Sequence, residues 1–578
     1  MPRLLTDTEE GSTTRRRKNR TKKKRGRRHH RKLNTDCTAG IDRPTPNVQQ
    51  IEPQQLLTEN DVFVDLENLD GDNIAHYFMT KDDADPKLED QSEPVVCFCH
   101  HAALSELQFN RSKISSEKVC LIDDRTCQGS TSNELGVREP LDAYEMLGKL
   151  RRKRFSITEP SAHRRLIFIT DLNSHSLAAL MATAPPSHVD ALISFFYSHI
   201  AVHPYLGVSS SSCGFPTVAH SFHLSFYSWK RANRPPLDPR RKRDGNRLRK
   251  VHDMRFLGGK SQAMADKADY LCEAQVSVMI TAINQMVWTG YCFVDTYHEP
   301  GENRQIVEKY CKSELQPDEI QLDPFTNGTC ESNNPLLDPR EYFLTTLECQ
   351  STTFKREWMN TKCMFKKRVE TYIDQFQYTA QKSTTSTPFD KQEPLEWLRL
   401  TRRMLTDLIV CLDTTLSCWD NYAKDQFQTK HGQRCLQCIE QNFLEAKTCL
   451  KELEGIRTLC DEHKEALSLY SIDTQNHISQ LQAKAAENAQ TISYFLLYVL
   501  SPATIAATML SMQEKAIPTI LGPTKVSFFI LTPVLALAVY ALSWMIRSWE
   551  KIQRFFNNMK PRDVHQSETI DLEEVILD

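Results

Sequence analysis

TISYFLLYVLSPATIAATMLSM (491–512) and VSFFILTPVLALAVYALSWMI (526–546) decide the architecture of this 578-residue chain. No charged residue occurs between Glu487 and Glu514 or between Lys525 and Arg547. Each uncharged stretch reaches the ~20 residues that cross a bilayer as a helix. The second is apolar on every face, and such a helix wants lipid or a large core around it. Two membrane-spanning helices are therefore expected within a domain at 491–550, followed by a short tail at 551–578. Arg547, Lys551, Arg554, Lys560 and Arg562 follow the second span, whereas the connecting loop holds Glu514, Lys515 and Lys525. The positive-inside rule then puts the carboxyl terminus in the cytosol, and two spans return the amino terminus to the same side. The opening residues MPRLLTDTEE lack the apolar run of a signal peptide. The expectation is a multi-pass integral membrane protein in contact with lipid, with both termini cytosolic; the flanks single out no particular membrane.

Upstream of the spans the chain reads as helix. Of 27 prolines and 18 glycines, none of the prolines and only Gly432 and Gly455 fall between Leu395 and Ser501, a depletion that long helices explain. Leu436, Ile439, Phe443, Ala446, Leu450 and Leu453 recur three and four apart, as in a coiled-coil seam. Leu481, Ala485, Asn488, Ile492 and Phe495 carry that spacing into the first span. Residues 339–490 are thus expected to form a helical stalk entering the bilayer, with an interruption expected at 471–476.

Residues 161–338 have a different character. The run Leu166, Ile167, Phe168, Ile169 predicts a buried strand, Ser174 caps a helix to Ala184, and a second helix follows from His188 to Ile200. Phe222, Leu224 and Phe226 alternate with Ser221, His223 and Ser225, predicting a strand with one buried face. Residues 274–297 predict two more strands, and 300–338 a polar insertion or linker. The pattern implies an α/β or α+β cytosolic domain.

Residues 1–160 are rich in charge blocks and are expected to be mostly disordered. The run 15–32, RRRKNRTKKKRGRRHHRK, holds 13 of the 72 lysines and arginines and no acid. Its density suits nuclear import, or contact with polyanions such as RNA or acidic lipid headgroups, or simply a solvated tail. The 18 cysteines are scattered through a chain without a signal peptide, so reduced thiols and unoccupied sequons at Asn110 and Asn327 are expected. Cys97, Cys99, His100 and His101 do not have the spacing of a common zinc module, and Cys435 and Cys438 form a C-x-x-C inside a helical seam, where packing is the simpler role. No nucleotide-binding, hydrolase or metalloprotease signature is present, so no enzyme activity and no covalent cofactor are expected.

Tyr494, Tyr498, Ser501, Thr504, Thr508 and Ser511 fall three and four apart on the first span and would share one helix face. Hydroxyls there serve either as glue between helices or as the lining of a pore. Pro502 marks a structural kink.

A stalk helix running into a first span, a short outer loop, a second span and a basic tail resembles the CorA family of magnesium transporters. Pro502, Thr504, Ala507 and Met512 fit the family's Pro-x-Thr pattern, and Ser511, Met512 and Gln513 stand where the family has Gly-Met-Asn. RLIFITDL (165–172), YCFVDTY (291–297) and DPREYF (338–343) look like a divergent eukaryotic branch, so the resemblance covers roughly residues 160–560. It implies a homo-oligomer, pentameric in the family, with Tyr498, Ser501, Thr504, Thr508 and Ser511 lining the pore. Ser511, Met512 and Gln513 would be its filter equivalent and Mg2+ the transported or regulatory ion. Asp295 and Asp338 lie in the family-like segments, where a structural hydrogen bond is the expected role. The alternatives are a transport-inactive CorA-like scaffold or signalling protein and, on the basic run alone, a nuclear or RNA-binding protein.

Overall fold

The computed structural model describes residues 57–559 apart from 65–73, 81–85, 103, 110–115, 129–130, 136–137, 159, 212–215, 259–266, 300–306, 312–320, 333–335, 383–391, 423–428 and 512–523. The basic run 15–32 and the sequon at Asn110 lie outside the described residues.

In chain order the elements begin with helices α1 (Ile74–Met79), α2 (Pro86–Cys99) and α3 (Leu104–Phe109), strands β1 (Cys120–Gln128) and β2 (Thr131–Glu134), and α4 (Ala143–Leu150). Strand β3 (Arg164–Thr170), helices α5 (Ser174–Ala182) and α6 (Val189–Ile200), and strands β4 (Tyr205–Ser211), β5 (Thr217–Ala232), β6 (Val251–Asp253), β7 (Ala268–Ala282) and β8 (Trp288–Val294) follow. Helices α7 (Pro339–Lys382), α8 (Gln392–Asp420), α9 (Lys430–Phe495), α10 (Ser501–Leu510) and α11 (Lys525–Met559) complete the chain.

The strands form one mixed sheet in the order β2-β1-β3-β8-β7-β5-β4, with β6 beside β7. Only β3 and β8 run parallel, Leu166 opposite Gly290 and Ile169 opposite Phe293; the other pairs are antiparallel. Because successive side chains point to opposite faces, β3 feeds two cores. Leu166 and Phe168 pack with residues of α7–α9, and Ile167 and Ile169 pack with residues of α1–α6. The result is a three-layer helix–sheet–helix domain. Gly290 is obligatory on β8, since a Cβ there would lie 2.9 Å from side-chain carbons of both Leu166 and Phe325.

Two expectations about extent are corrected. Folded structure begins by Leu57, not near 161, and β1 and β2 extend the sheet from within the segment expected to be disordered. The buried side chains of β1 include Asp123 and Arg125, so an apolar count passes over the strand. Arg125 holds Asp123 at 3.0 Å, Arg138 also pairs with it, and Arg164 lies 3.9 Å away. Burial raises the Asp123 pKa, but the three guanidinium groups outweigh burial and hold its carboxyl below the usual range. Likewise, 300–338 is not a bare linker: Val307, Tyr310 and Phe325 are core residues. Asn327, φ 54°, bonds Gln350 and Thr353 on α7, both at 3.2 Å.

Strand β5 departs from expectation in a second way, because both its faces are buried. Phe222, Leu224 and Phe226 join the α7–α9 side, while Ser221, His223 and Ser225 are also inaccessible. Hydrogen bonds make this tolerable: His223 Nδ1 and His199 Nδ1 lie 2.7 and 2.8 Å from Ser277 Oγ, and Ser225 donates to Gln275 at 2.8 Å. The cap of α5 is Asn173, one residue before Ser174, accepting from the Ser176 N–H at 2.8 Å.

The seam expected from Leu436 to Leu453 exists, and it closes within the chain. Ile439, Phe443, Ala446, Leu450 and Leu453 are buried in the core that α7 and α8 share. Lys355–Glu445, Lys362–Glu452 and Arg402–Asp461 pairs at 3.0–3.1 Å flank it.

The helix does not stop at 471–476 as expected. It runs from Lys430 to Leu510 over 81 residues, on the order of 120 Å at about 1.5 Å per residue. Its one irregularity is a π-helical turn, Leu496–Leu500, immediately before Pro502.

Candidate membrane hairpin and its hydroxyl face

Two helices, Lys430–Leu510 and Lys525–Ile546, contain stretches long and apolar enough to cross a membrane. Only 11% of each apolar stretch is buried within the molecule. That separates them from core helices of a soluble protein, whose apolar surface is covered by the chain itself. Phe529, Leu537, Tyr540 and Trp544 on α11 are each more than half exposed. Helix α11 continues to Met559, beyond the expected end of the membrane domain near 550. The charges from Arg547 onward mark where the apolar stretch ends, not where the helix does.

The hairpin packs along a narrow seam. On the first helix Pro502 and Ala506 are its buried residues, and the Tyr498 ring meets the Tyr540 ring of α11 at 5.9 Å. Small side chains at 502 and 506 let the helices approach closely. The π turn follows from Pro502. Proline has no N–H to offer the Tyr498 carbonyl, and just before it the Ser501 N–H reaches back five residues to the Leu496 carbonyl.

Tyr498, four and eight residues before Pro502 and Ala506, stands with them on the seam side of the helix, where its ring meets Tyr540. Ser501 is half-buried between the two positions. Thr504, Thr508 and Ser511 remain together, exposed and turned away from the buried pair Pro502 and Ala506. Their hydroxyls donate to carbonyls of their own helix: Thr504 to Ser501 at 2.8 Å, Thr508 to Thr504 at 2.5 Å and Ser511 to Thr508 at 2.7 Å. With the O–H proton spent, what each hydroxyl presents outward is an acceptor lone pair. Met512 and Gln513, the remainder of the filter equivalent, lie outside the described residues.

A second polar cluster is deeply buried at the carboxyl ends of β3 and β8. Asp295 takes Arg249 Nε at 2.6 Å, Arg240 at 2.8 Å and the Gln275 N–H at 2.9 Å. Asp171, in the left-handed region at φ 50°, accepts from the N–H groups of Thr296 and Tyr297 at 2.7 and 3.0 Å. Arg240 is gripped in turn by Asp238 at 2.8 Å. Burial works to raise the Asp295 pKa, but Arg249 and Arg240 prevail and hold its carboxyl far below the usual range. Every partner is internal, so the cluster ties the basic loop 234–250 to the sheet. Asp338 bonds the Arg340 N–H at 2.8 Å at the start of α7. Both aspartates occupy the structural role expected of them.

Cys99 is buried with its thiol pushed up to about 12 by desolvation, and the His100 ring turns back onto the Cys97 carbonyl at 3.0 Å. Among the described residues no group of three or more His, Cys, Asp or Glu side chains stands ready-formed around a metal position. His431, one turn before Cys435 on α9, places Nε2 3.5 Å from its Sγ and 3.0 Å from Thr345 Oγ1 of α7.

No family model matches the chain, and no curated protein matches it. Among solved structures, that of the full-length CmaX protein is similar at 13% identity, over 75% of this chain and 98% of that one, with a TM-score of 0.33. A likeness of that degree carries no argument about this chain.

Proposed function

We propose that this chain is a homo-oligomeric, CorA-like channel that passes divalent cations, magnesium foremost, down their electrochemical gradient with no chemical step. The observation that carries the reading is the outward hydroxyl face of Thr504, Thr508 and Ser511, on the side of α10 away from its only buried residues. Mg2+ releases its water reluctantly, and a hydrated cation presents water hydrogens to its surroundings. A ring of acceptor oxygens complements such an ion without dehydrating it. One chain supplies only one wall of such a ring, so the reading requires further copies. The upper stalk supports this: Leu469, Ile472, Leu481 and Ile492 are more than half exposed on a helix that has left its own domain. Isolated helices of this kind gain most of their stability from packing an apolar face. In this arrangement both termini are cytosolic.

Magnesium entry into liposomes holding the purified protein tests transport, and a five-fold ring in images of the detergent-solubilised protein tests assembly. Well-inserted, oligomeric protein that admits no magnesium sinks the transport claim. Retention in the membrane pellet after a carbonate wash is also required, and release into the supernatant would favour the nuclear or RNA-binding alternative.

One observation favours the second reading, a transport-inactive membrane scaffold. Because each hydroxyl is already satisfied by its own helix, the stripe is tolerable against lipid. The double substitution Ser511→Gly and Gln513→Asn separates the two. Conduction gained only in the double variant identifies the native protein as the scaffold.

A further inference from the structure

Loop 233–250 follows β5 and lies at the carboxyl end of β8. Its inner side is fixed: Asp238, Arg240 and Arg249 are buried, and the two arginines hold Asp295, next after β8, at 2.8 and 2.6 Å. Its outer side turns tightly through Gly245, φ 78°, where the Lys242 N–H donates to the Asn246 carbonyl and the Gly245 N–H to the Lys242 carbonyl, both at 2.9 Å. Arg234, Arg241, Arg243 and Lys250 are exposed, and among the described residues none of the four reaches a carboxylate at ion-pair distance. Asp244, the one exposed acid of the loop, is taken up by the Asn246 N–H and side-chain amide at 2.9 and 2.8 Å. Leu237, 43% exposed, adds an apolar spot to the same loop.

The loop stands at the end of the sheet toward which the hairpin lies. Trp288, the first residue of β8, donates to the Leu337 carbonyl just before α7 at 3.0 Å, whereas Thr361 of α7 donates to the Tyr227 carbonyl, past the level where β8 ends, at 2.7 Å. Helix α7 therefore runs toward the carboxyl end of β8, and α9 runs beside it in the same sense, Glu445 with Lys355 and Glu452 with Lys362. Past Glu452, α9 continues to the hairpin, and α11 returns antiparallel to it, from Tyr540 opposite Tyr498 to Met559. The end of α11 then stands about 40 Å along the stalk from the level of Glu452, at about 1.5 Å per helical residue. Residues 560–578 lie outside the described residues, and roughly a dozen of them, extended, span that gap at about 3.3–3.6 Å each. Their sequence complements the loop: after Arg562 come Asp563, Glu568, Asp571, Glu573, Glu574 and Asp578, with no lysine or arginine and with Leu572 and Ile576 among them.

We propose that segment 563–578 docks on the outer face of loop 233–250 of its own chain, latching the tail that follows α11 to the sheet. Single exposed ion pairs contribute only ~0.2–1 kcal/mol, but a short tether holds the tail at an effective concentration on the order of millimolar, so several such pairs suffice. The charges of the loop are exposed, so the latch loosens as salt screens them. The inference rests on the hairpin that returns α11 toward the domain and not on conduction.

Photo-crosslinking of the full-length protein in detergent tests it, with Leu572→p-benzoylphenylalanine as the probe and mass spectrometry of the linked peptides as the readout. Crosslinks to 233–250 within one chain are expected, falling at least ~threefold as salt is raised from about 0.05 to about 0.5 M. The exposed pair Arg241→Glu and Arg243→Glu should lower the yield by about fivefold without moving the thermal midpoint. Adding Glu573→Lys and Glu574→Lys should restore it, and recovery in that charge-swapped variant excludes misfolding as the cause of the loss. Crosslinks that fall elsewhere, that join two chains, or that survive both salt and charge reversal overturn the proposal. So does a crosslink that forms only after nuclease treatment, which assigns the loop to nucleic acid.

Discussion

Thr508 bears the sharpest residue-level test of the channel reading. Its hydroxyl proton is committed to the Thr504 carbonyl, so valine at this position removes the outward acceptor and keeps the side-chain shape. Thr508→Val is expected to lower magnesium entry by about tenfold, the equivalent of ~1.4 kcal/mol, a typical hydrogen-bond contribution. Oligomer size and thermal midpoint should not move. A variant that conducts like the native protein would remove Thr508 from the pore. Asp295 makes the opposite kind of prediction, one about stability alone. Asp295→Asn leaves Arg249 buried without its counter-charge, while Arg240 keeps Asp238, and breaking a buried pair in this way costs about 3–5 kcal/mol. Loss of the thermal midpoint, followed by tryptophan emission, measures it. A neutral outcome would mean that solvent reaches the cluster.

At the scale of elements, α9 is two helices in one. Up to Leu467 most of its apolar residues, Leu444 excepted, are covered by α7 and α8, and from Leu469 to Phe495 its large apolar side chains are exposed. The same three-and-four spacing runs through both halves, so the pattern alone does not say whether the partner is the chain's own helix or another copy. Leu481, 53% exposed, belongs to the bare half. Leu481→Glu is expected to shift the detergent-solubilised protein toward monomer in light-scattering measurements and leave the soluble domain's midpoint unchanged. Unaltered oligomers would place the self-contact elsewhere. The stripe is only partly legible in the sequence. Three of its predicted members, Thr504, Thr508 and Ser511, keep a common exposed face, whereas Tyr498 meets Tyr540 of α11. Hydroxyl spacing is visible in a sequence, but which side of the helix the second span covers is not.

For the molecule as a whole, buried histidines set the response to pH. Desolvation lowers His188 and His223 to about 3 and His220 and His298 to about 4, and takes His199 well below its ordinary value. The unfolded chain protonates these groups near pH 6.5 while the folded domain does not, so protons favour unfolding as pH falls. The stability these neutral rings contribute is complete above about pH 6.5 and is lost progressively toward pH 3. Asp295 adds to the loss below its unfolded value of about 3.9, because its folded carboxyl is held lower still. Thermal midpoints should be flat from pH 7 to 8 and fall steeply below 6; a flat profile down to pH 4.5 would mean that these rings are solvated.

By itself the sequence determined the two apolar stretches, the long helices before them and the alternating strands and helices upstream. Each is a local consequence of composition and period, and one chain segment suffices to read it. Tertiary structure alone decided the rest. Strand β1 belongs to the sheet because Arg138 and Arg164, distant in sequence, neutralise its inward Asp123. Cys435 is buried because α7 lies against the start of α9, with Thr345 Oγ1 3.0 Å from the His431 ring. The hydroxyls of Thr504, Thr508 and Ser511 face outward because the second span covers the other side of the helix, at Pro502 and Ala506. Long-range ion pairs and helix pairings depend on which segments meet, and that information is carried by no single segment.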